Sequence, residues 1–290
     1  MTWVNAIVQG ILLGGLYALF ATGLSLIFGV MGVVNLAHGV LTLLAAYIAL
    51  AVVEATGLNP LLVLGVVIPL MFVLGYVVQR WLINPTLEGG PLPPLLVTFG
   101  LAVIVENILL EAFTADSQGL FAGPIENASI QITDRLSVGW MPVIIFLVAV
   151  ALLVGLQLFF DRTLFGRALR ATADDRETAR LMSIDDQHVY GIAMGIALAV
   201  AGVAGVFTGV RTTFGPLDGP TLLIFAFEAV IIGGLGSLWG TLLGGVILGV
   251  AQSAGAQLSP GWFQLAGHVV FLTVLAIRPE GLFPRSRARV

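Results

Sequence analysis

Long apolar stretches, separated by short polar connections, recur along the whole chain. A helix of about 17 to 25 residues crosses a hydrocarbon core roughly 30 Å thick and satisfies its own backbone hydrogen bonds in lipid. The pattern therefore predicts an all-α integral membrane protein, a polytopic bundle of about eight to ten transmembrane helices. The candidate spans are residues 4–30, 36–53, 61–83, 92–113, 138–160, 190–210, 221–235, 238–258 and 263–277.

The composition supports the same class. Hydrophobic residues make up 58% of the chain, charged residues only 10%, and the mean hydropathy is +1.05. A water-soluble fold could not cover that much apolar surface. No soluble domain or low-complexity tract interrupts the pattern, so residues 1–290 are predicted to form a single membrane domain.

The residue types that are missing exclude several kinds of chemistry. All 12 basic residues are arginine, and the chain has neither lysine nor cysteine. A conventional phosphate-binding loop needs a lysine, and thiol nucleophiles, disulfides and cysteine metal sites need sulfur. The chain is therefore not its own conventional ATPase. The net charge of -4, without a basic face, gives no indication of nucleic-acid binding.

The distribution of arginine predicts how the chain is oriented, because short cytoplasmic loops collect positive charge. Five arginines lie in the loop 161–189, and four more follow the last span, so both segments are predicted to be cytoplasmic. With nine full spans the N-terminus lies outside, whereas one broken or re-entrant segment would reverse it. No arginine precedes the first span, which is therefore predicted to be a permanent helix and not a cleaved signal peptide.

The two longest polar segments lie on opposite sides of the membrane in this prediction. The outer one, 114–139, is long enough to fold over the outer surface, either to contact another molecule or as a plain solvated connector. The inner one, 161–189, is called the charged loop below, and its pattern predicts two short helices. Asp174 and Glu177 have capping-box spacing, so the second helix is predicted to begin at Asp174. Arg176 and Arg180 share a face of that helix.

By its residues alone, the charged loop suits either a rigid handle for a cytoplasmic partner or an ordinary interfacial loop. Its stretch GRALRATADDRETARLMSI resembles the cytoplasmic coupling loop of branched-chain amino-acid ABC transporter permeases of the LivH type. One departure is Ser183, where that family usually has glycine, and it predicts a different exit from the helix. Three further stretches resemble the same family in the same order along the chain, at residues 14–39, 95–107 and 227–245.

The resemblance implies a set of partners. They are a second homologous permease subunit, two ATP-binding subunits that hold ATP and magnesium, and a periplasmic or lipoprotein solute-binding protein. The chain itself would need no cofactor and would lie, with many passes, in the bacterial inner membrane. A heterodimer is favoured, although a homodimer remains an alternative. Branched-chain amino acids are the favoured substrates, and other amino acids, amides, urea and aromatic acids remain alternatives. The residues assigned to the ATPase contact are Arg167, Arg170, Asp174, Asp175, Glu177 and Ala179.

Polar residues inside the spans are candidates for the translocation pathway, because a charge at a helix centre costs roughly 2.5 to 3.5 kcal/mol and must face protein or water. Glu111 is expected near the outer interface, where its cost is small. His268 stands isolated in the last span, and the glycine-rich stretch before Ser237 is either a break between half-spans or a tight turn. The predicted pathway residues are Asn35, His38, Glu106, Asn107, Glu228 and Ser237.

Two other classes of function remain as alternatives. A secondary transporter or channel would use Glu106 or Glu228 to carry a proton or an ion without an ATPase. An intramembrane enzyme ranks last, because it needs a catalytic pair such as serine with histidine or two facing aspartates, and no aspartate lies centrally in any predicted span. Stripes of small residues at four-residue spacing indicate where helices approach most closely. They are Gly10 and Gly14; Gly191 and Gly195; Ala201, Gly205 and Gly209; and Gly236, Gly240 and Gly244.

Overall fold

The computed structural model describes residues 3–133 and 136–283. Most of this part of the chain is helical, and one short hairpin pairs β1 (Ser129–Thr133) with β2 (Leu136–Gly139). The helices are α1 (Trp3–Met31), α2 (His38–Thr56), α3 (Pro60–Val77), α4 (Leu92–Phe113), α5 (Pro124–Asn127), α6 (Trp140–Arg162), α7 (Leu164–Asp174), α8 (Arg176–Leu181), α9 (Asp186–Arg211), α10 (Gly219–Gly233), α11 (Leu238–Leu258) and α12 (Phe263–Ile277).

Within the described residues, nine helical segments are long and apolar enough to cross a membrane, which confirms the predicted polytopic bundle. Several boundaries differ from the prediction by a few residues, and two of these differences reflect a change of backbone structure. The third span leaves α-helical geometry after Val77 and continues as a π-helical turn, Val78–Ile83, and a 3-10 turn, Asn84–Gly89. The fifth span begins at Trp140 because the residues just before it pair in the hairpin.

The bundle has a central pair of helices, α1 and α9, whose side chains are mostly buried. Both are rich in small residues, so neighbours pack against them from several sides. The helices α3, α4, α6 and α12 lie at the periphery and leave large apolar side chains exposed. In a membrane such faces contact lipid or another protein, because no hydrophobic penalty keeps them inside.

The helices α1 and α11 pack closely along glycines on both sides. A Cβ built on Gly14 would lie 2.4 Å from the Cα atom of Val246, and one built on Gly249 would lie 2.3 Å from the carbonyl oxygen of Gly10. The predicted small-residue stripe on α1 is thereby confirmed, and its partners on α11 include glycines that the sequence analysis missed. Gly236, by contrast, was wrongly placed in a packing stripe, because it lies in a turn with φ of 79°.

The described part of the loop of residues 114–139 closes one end of the bundle, and the charged loop lies at the other end. The 114–139 loop contains α5 and the hairpin, and a two-way backbone bridge between Gln118 and Phe214 ties it to the chain after α9. The amide of Leu120 also donates to the carbonyl of Gly209. Arg285, Arg287 and Arg289, on which the predicted orientation partly rests, lie outside the described residues, as does Arg135.

Candidate functional site

The charged loop folds as two short helices, as predicted, but the second one begins later than predicted. Asp174 is the last residue of α7, whereas Asp175 is extended and caps α8 by accepting from the amide of Thr178 at 3.0 Å. The prediction that Asp174 caps the second helix, which rested on the capping-box spacing between Asp174 and Glu177, is therefore wrong. An N-cap residue needs non-helical backbone angles, and Asp174 has helical ones.

The second helix, α8, is clamped onto the first turn of α9 by one buried carboxylate. Asp186 accepts from Arg176 Nε at 2.5 Å and from Arg180 Nε and Nη2 at 2.9 Å each. The Arg176 guanidinium also lies 5.5 Å above the ring of Tyr190. The predicted shared face of the two arginines is confirmed, and its function here is to hold α8 against α9.

The residues assigned to an ATPase contact are placed in three different ways. Four of them, Arg167, Asp174, Asp175 and Glu177, are exposed. Arg170 turns back to the end of α6, where its Nη1 donates to Asp161 at 2.6 Å, and Ala179 is buried at 3% exposure. In this arrangement the first four are the most accessible to a partner, Arg170 is partly exposed, and Ala179 is not accessible.

The sequence analysis missed the apolar part of this surface. Leu181 is 84% exposed and Met182 is 73% exposed at the end of α8, and Leu164 is 77% exposed at the start of α7. Exposed large side chains on a well-anchored segment are typical of contact with another protein. Their periodicity gave no signal, because α8 has only six residues.

The backbone leaves α8 through a left-handed residue, although that residue is Ser183 and not glycine. Ser183 has φ of 62°, its amide donates to Arg180, and the amide of Ile184 donates to Ala179, which together form a Schellman motif. The predicted change of helix exit is therefore wrong: the exit keeps the geometry that suits glycine, with a side chain in it.

Replacing Ser183 by glycine should stabilise this exit, because glycine removes a Cβ penalty of about 1 kcal/mol in the left-handed region. We expect slower hydrogen exchange in peptides that span residues 176–184 of the Ser183→Gly variant. Ser259→Gly, at a residue with extended backbone, is the control and should gain nothing. Equal or faster exchange in Ser183→Gly would contradict the assignment.

The cap on α8 should also depend on pH. The hydroxyl of Thr178, donating at 2.6 Å, lowers the pKa of the Asp175 carboxyl below its usual range. A carboxyl whose pKa falls on folding stabilises the fold above its unfolded pKa of about 3.9, and that stabilisation is lost as the pH falls through the folded value. The protection of the amides of residues 176–182, measured as their exchange rate relative to the intrinsic rate at each pH, should therefore fall at low pH in the wild type. In Asp175→Asn, whose side chain can still cap the helix but does not titrate, this protection should depend less on pH.

The C-terminal end of α3 is tied to the same region. Tyr76 OH lies 2.9 Å from Nδ1 of His188, and Arg80 is paired with Asp185 at 3.8 Å. Asp185 in turn caps α9 by accepting from the amide of His188 at 3.0 Å. Movement of the charged loop would therefore reach α3 and α9 together.

A second polar region lies at membrane depth, where α2 begins. His38 Nε2 is 2.8 Å from the carbonyl oxygen of Phe20, eleven residues before the end of α1. At 1.5 Å per residue this is about 17 Å from that end of α1. The connection between α1 and α2 therefore runs back into the bilayer, and it carries Asn35, which is 1% exposed. Irregular backbone at this depth occurs only inside protein or beside a water-filled cavity.

The first turn of α10 meets the first turn of α2. A Cβ on Gly39 would lie 2.1 Å from the carbonyl oxygen of Gly219. Phe214, only a few residues earlier, packs on Tyr47 with ring centroids 5.0 Å apart. Tyr47 lies eight residues beyond Gly39, about 12 Å along α2, so the chain before α10 also dips into the bilayer. Both helices thus begin inside the membrane, as discontinuous helices of transporters do.

Exposed polar residues lie on one side of the region where α2 and α10 begin. Asp218, which the sequence analysis missed, is exposed in the descending segment before α10, and its Oδ2 accepts from the amide of Gly215 at 2.7 Å. On α4, Asn107 is exposed and Glu106 is half-buried. A carboxylate exposed at this depth cannot face lipid cheaply, so this side of the bundle needs water or a protein partner.

Glu228 and Ser237, the other predicted pathway residues, have structural partners. Glu228 is 2% exposed and hydrogen-bonds to His268 Nδ1, so the description of His268 as isolated was wrong. Ser237 caps α11 by accepting from Gly240 at 3.1 Å, and the glycine-rich stretch is a turn between two spans. Among residues 3–133 and 136–283, no three histidine, aspartate or glutamate side chains come together as metal ligands would.

Comparison with known proteins decides the family. Residues 6–277 match the family model described as "Branched-chain amino acid transport system / permease component". This chain belongs to that permease family. It is 29% identical to the permease protein BraD of Pseudomonas aeruginosa over 98% of this chain and 96% of BraD. It is 30% identical to LivH of Escherichia coli over 96% of this chain and 94% of LivH. With LivM of E. coli it shares 30% identity over 51% of this chain and 36% of LivM.

For this permease, the family match confirms the resemblance inferred from four sequence stretches. It does not favour the secondary-transporter alternative.

Proposed function

We propose that this chain is a transmembrane subunit of an ATP-binding-cassette importer for branched-chain or related amino acids. The relatives BraD and LivH are named as high-affinity branched-chain amino acid permeases. The chain would form part of the translocation pathway, in a bacterial inner membrane, while separate subunits bind ATP and magnesium and hydrolyse the ATP. The absence of lysine fits this division of labour.

The observation that carries the proposal is that the charged loop is firmly anchored and exposes apolar side chains. Its helices are capped by Thr163 and Asp175, clamped by Asp186, and end in two exposed apolar side chains, Leu181 and Met182. A segment that only linked two spans would need neither the clamp nor the apolar tip. We infer that this tip seats in a cytoplasmic ATPase subunit, flanked by Arg167, Asp174 and Glu177. With this contact, the charged loop and the C-terminus would lie in the cytoplasm.

The second homologous subunit would cover the side of the bundle that carries Glu106, Asn107 and Asp218. These residues are polar and incompletely buried at membrane depth, so the pathway would run between this face and the partner. Asn35 and His38 lie behind it, where two helices begin inside the membrane. The partial match to LivM supports a heterodimer with a related chain. A solute-binding protein would dock at the opposite end, over the loop of residues 114–139.

The apolar tip gives a direct test. Leu181→Asp should abolish co-purification of the ATPase subunits from mild detergent while the chain remains folded, because a buried, unpaired carboxylate would be placed in the contact. Phe121→Asp is the matched control: Phe121 is 71% exposed but lies at the opposite end, so the ATPase should be retained. Loss of the ATPase in both variants, or in neither, would contradict the proposed docking surface.

A further inference from the structure

A half-open cavity lies beside the charged loop, away from the exposed apolar tip. Its volume is about 250 Å³, and its walls come from α1, the end of α6, α7 and the turn between α10 and α11. A water molecule occupies about 30 Å³ in the liquid, so the space would hold about eight waters. That is the size of an amino acid with a branched aliphatic side chain.

The polar groups of this cavity include one cation and one anion side by side. Arg170 and Asp161 are paired at 2.6 Å, with their side chains 36% and 47% exposed, and Gln157 Nε2 donates to the other Asp161 oxygen at 2.7 Å. A guanidinium binds a carboxylate, and a carboxylate accepts from an ammonium group. The pair therefore complements a zwitterion better than it complements a phosphate or another simple anion.

A buried hydroxyl in the same wall lacks a partner. Ser25 is 1% exposed, and its Oγ makes no hydrogen bond within the described residues. An unsatisfied buried hydroxyl costs about 1 to 3 kcal/mol, which a ligand or a water would recover. The cavity also adjoins the first turn of α11, where Leu238 and Trp239 line it, and the positive end of this long helix favours a carboxylate.

The remaining wall is apolar and suits an aliphatic side chain. It is formed by Leu26, Val30, Phe160 and Leu169 together with Leu238. A charged pair, one buried hydroxyl and an apolar wall together match a free aliphatic α-amino acid.

We propose that this cavity binds the aliphatic amino acid on the cytoplasmic side and slows transport when it is occupied. The proposal rests on the proposed function for its orientation and for the choice of amino acid. An occupied cavity would hold α7 against α1 and against the α10–α11 turn, and so restrain the movement of the charged loop. Released product would thereby inhibit its own import.

The test uses radiolabelled L-leucine and the full chain in nanodiscs of phosphatidylcholine. The wild type should bind leucine, and Ser25→Val, which replaces the unpartnered hydroxyl by two methyl groups in the cavity wall, should lose at least tenfold in affinity. Ser25→Ala removes only the hydroxyl, keeps the fold, and should weaken binding several-fold. Ser253→Val, on α11 but outside the cavity wall, should bind like the wild type. No binding by the wild type, or equal binding by both Ser25 variants, would overturn the proposal.

Two further experiments ask whether the zwitterion in the cavity is an amino acid or a lipid headgroup, and whether its binding slows transport. If phosphatidylethanolamine in the nanodisc displaces leucine, the site belongs to a lipid headgroup, and the proposal is overturned. In proteoliposomes with the complete importer, leucine on the ATPase side should slow uptake several-fold in the wild type but not in Ser25→Val. Uptake that proceeds but is indifferent to that leucine would overturn product inhibition and leave the importer function standing. The binding arm needs no transport, so it is decisive even if the importer function fails.

Discussion

Gly14→Leu should prevent the chain from accumulating as a folded protein. The Cα atom of Val246 lies 2.4 Å from the position of a Cβ at Gly14, and the next nearest atoms also belong to the backbone of α11. Backbone cannot rotate away as a side chain can, so α1 and α11 would have to separate along their whole seam. Overpacking costs typically 1 to 3 kcal/mol, and here we expect about 3 kcal/mol or more. The measurement is the recovery of monodisperse protein from mild detergent, with its thermal unfolding midpoint.

The control is Gly65→Leu in α3, where a Cβ meets no atom within 4 Å. The two variants add the same side chain to a transmembrane helix, so their difference reports the close approach alone. Gly65→Leu should be recovered like the wild type. Normal recovery and stability of Gly14→Leu would show that the α1–α11 seam is not packed as described.

Asp186→Asn should disconnect the charged loop from the bundle. The variant leaves Arg176 and Arg180 without their carboxylate, and breaking a buried pair costs about 3 to 5 kcal/mol. Because the two arginine side chains are 27% and 44% exposed, water can solvate them after the carboxylate is lost. We therefore expect the variant to lose only about 2 kcal/mol of stability in this region. Hydrogen exchange in residues 176–182 should accelerate by more than tenfold, and ATP-driven uptake should fall by a similar factor.

Asp174→Asn is the control for that exchange measurement. Asp174 lies in the same segment and is exposed, so its charge can be removed without releasing α8. Its exchange should match that of the wild type. If Asp186→Asn also exchanges like the wild type, the clamp does not anchor α8, and the route from the charged loop into α9 is contradicted.

Local sequence patterns predicted the spans, because the length of an apolar run determines them, and they also predicted the two helices of the charged loop. They failed where the outcome depends on residues far apart in the chain. His268 appeared isolated because its partner, Glu228, is 40 positions away on another helix. Ala179 and Leu181 are two positions apart on one short helix, and only its packing on α9 decides that the first is buried and the second exposed.

Depth in the membrane was also invisible in the sequence. The stretch around Asn35 and His38 interrupts the apolar pattern as an ordinary turn would, yet its contact with Phe20 places it deep in the bilayer. Asp218 escaped notice for the same reason, because it precedes a span that was predicted to begin at an interface. Hydropathy measures the length of an apolar run, but it does not report where the run starts relative to the lipid.

The central claim is that this chain imports aliphatic amino acids by coupling to a separate ATPase. The most direct measurement is uptake of radiolabelled L-leucine into proteoliposomes that contain this chain, its homologous partner, the ATPase subunits and the solute-binding protein. The account predicts uptake that requires ATP hydrolysis, persists when the proton gradient is collapsed, and is lost in Leu181→Asp. Uptake that proceeds without ATP and follows the proton gradient would contradict it.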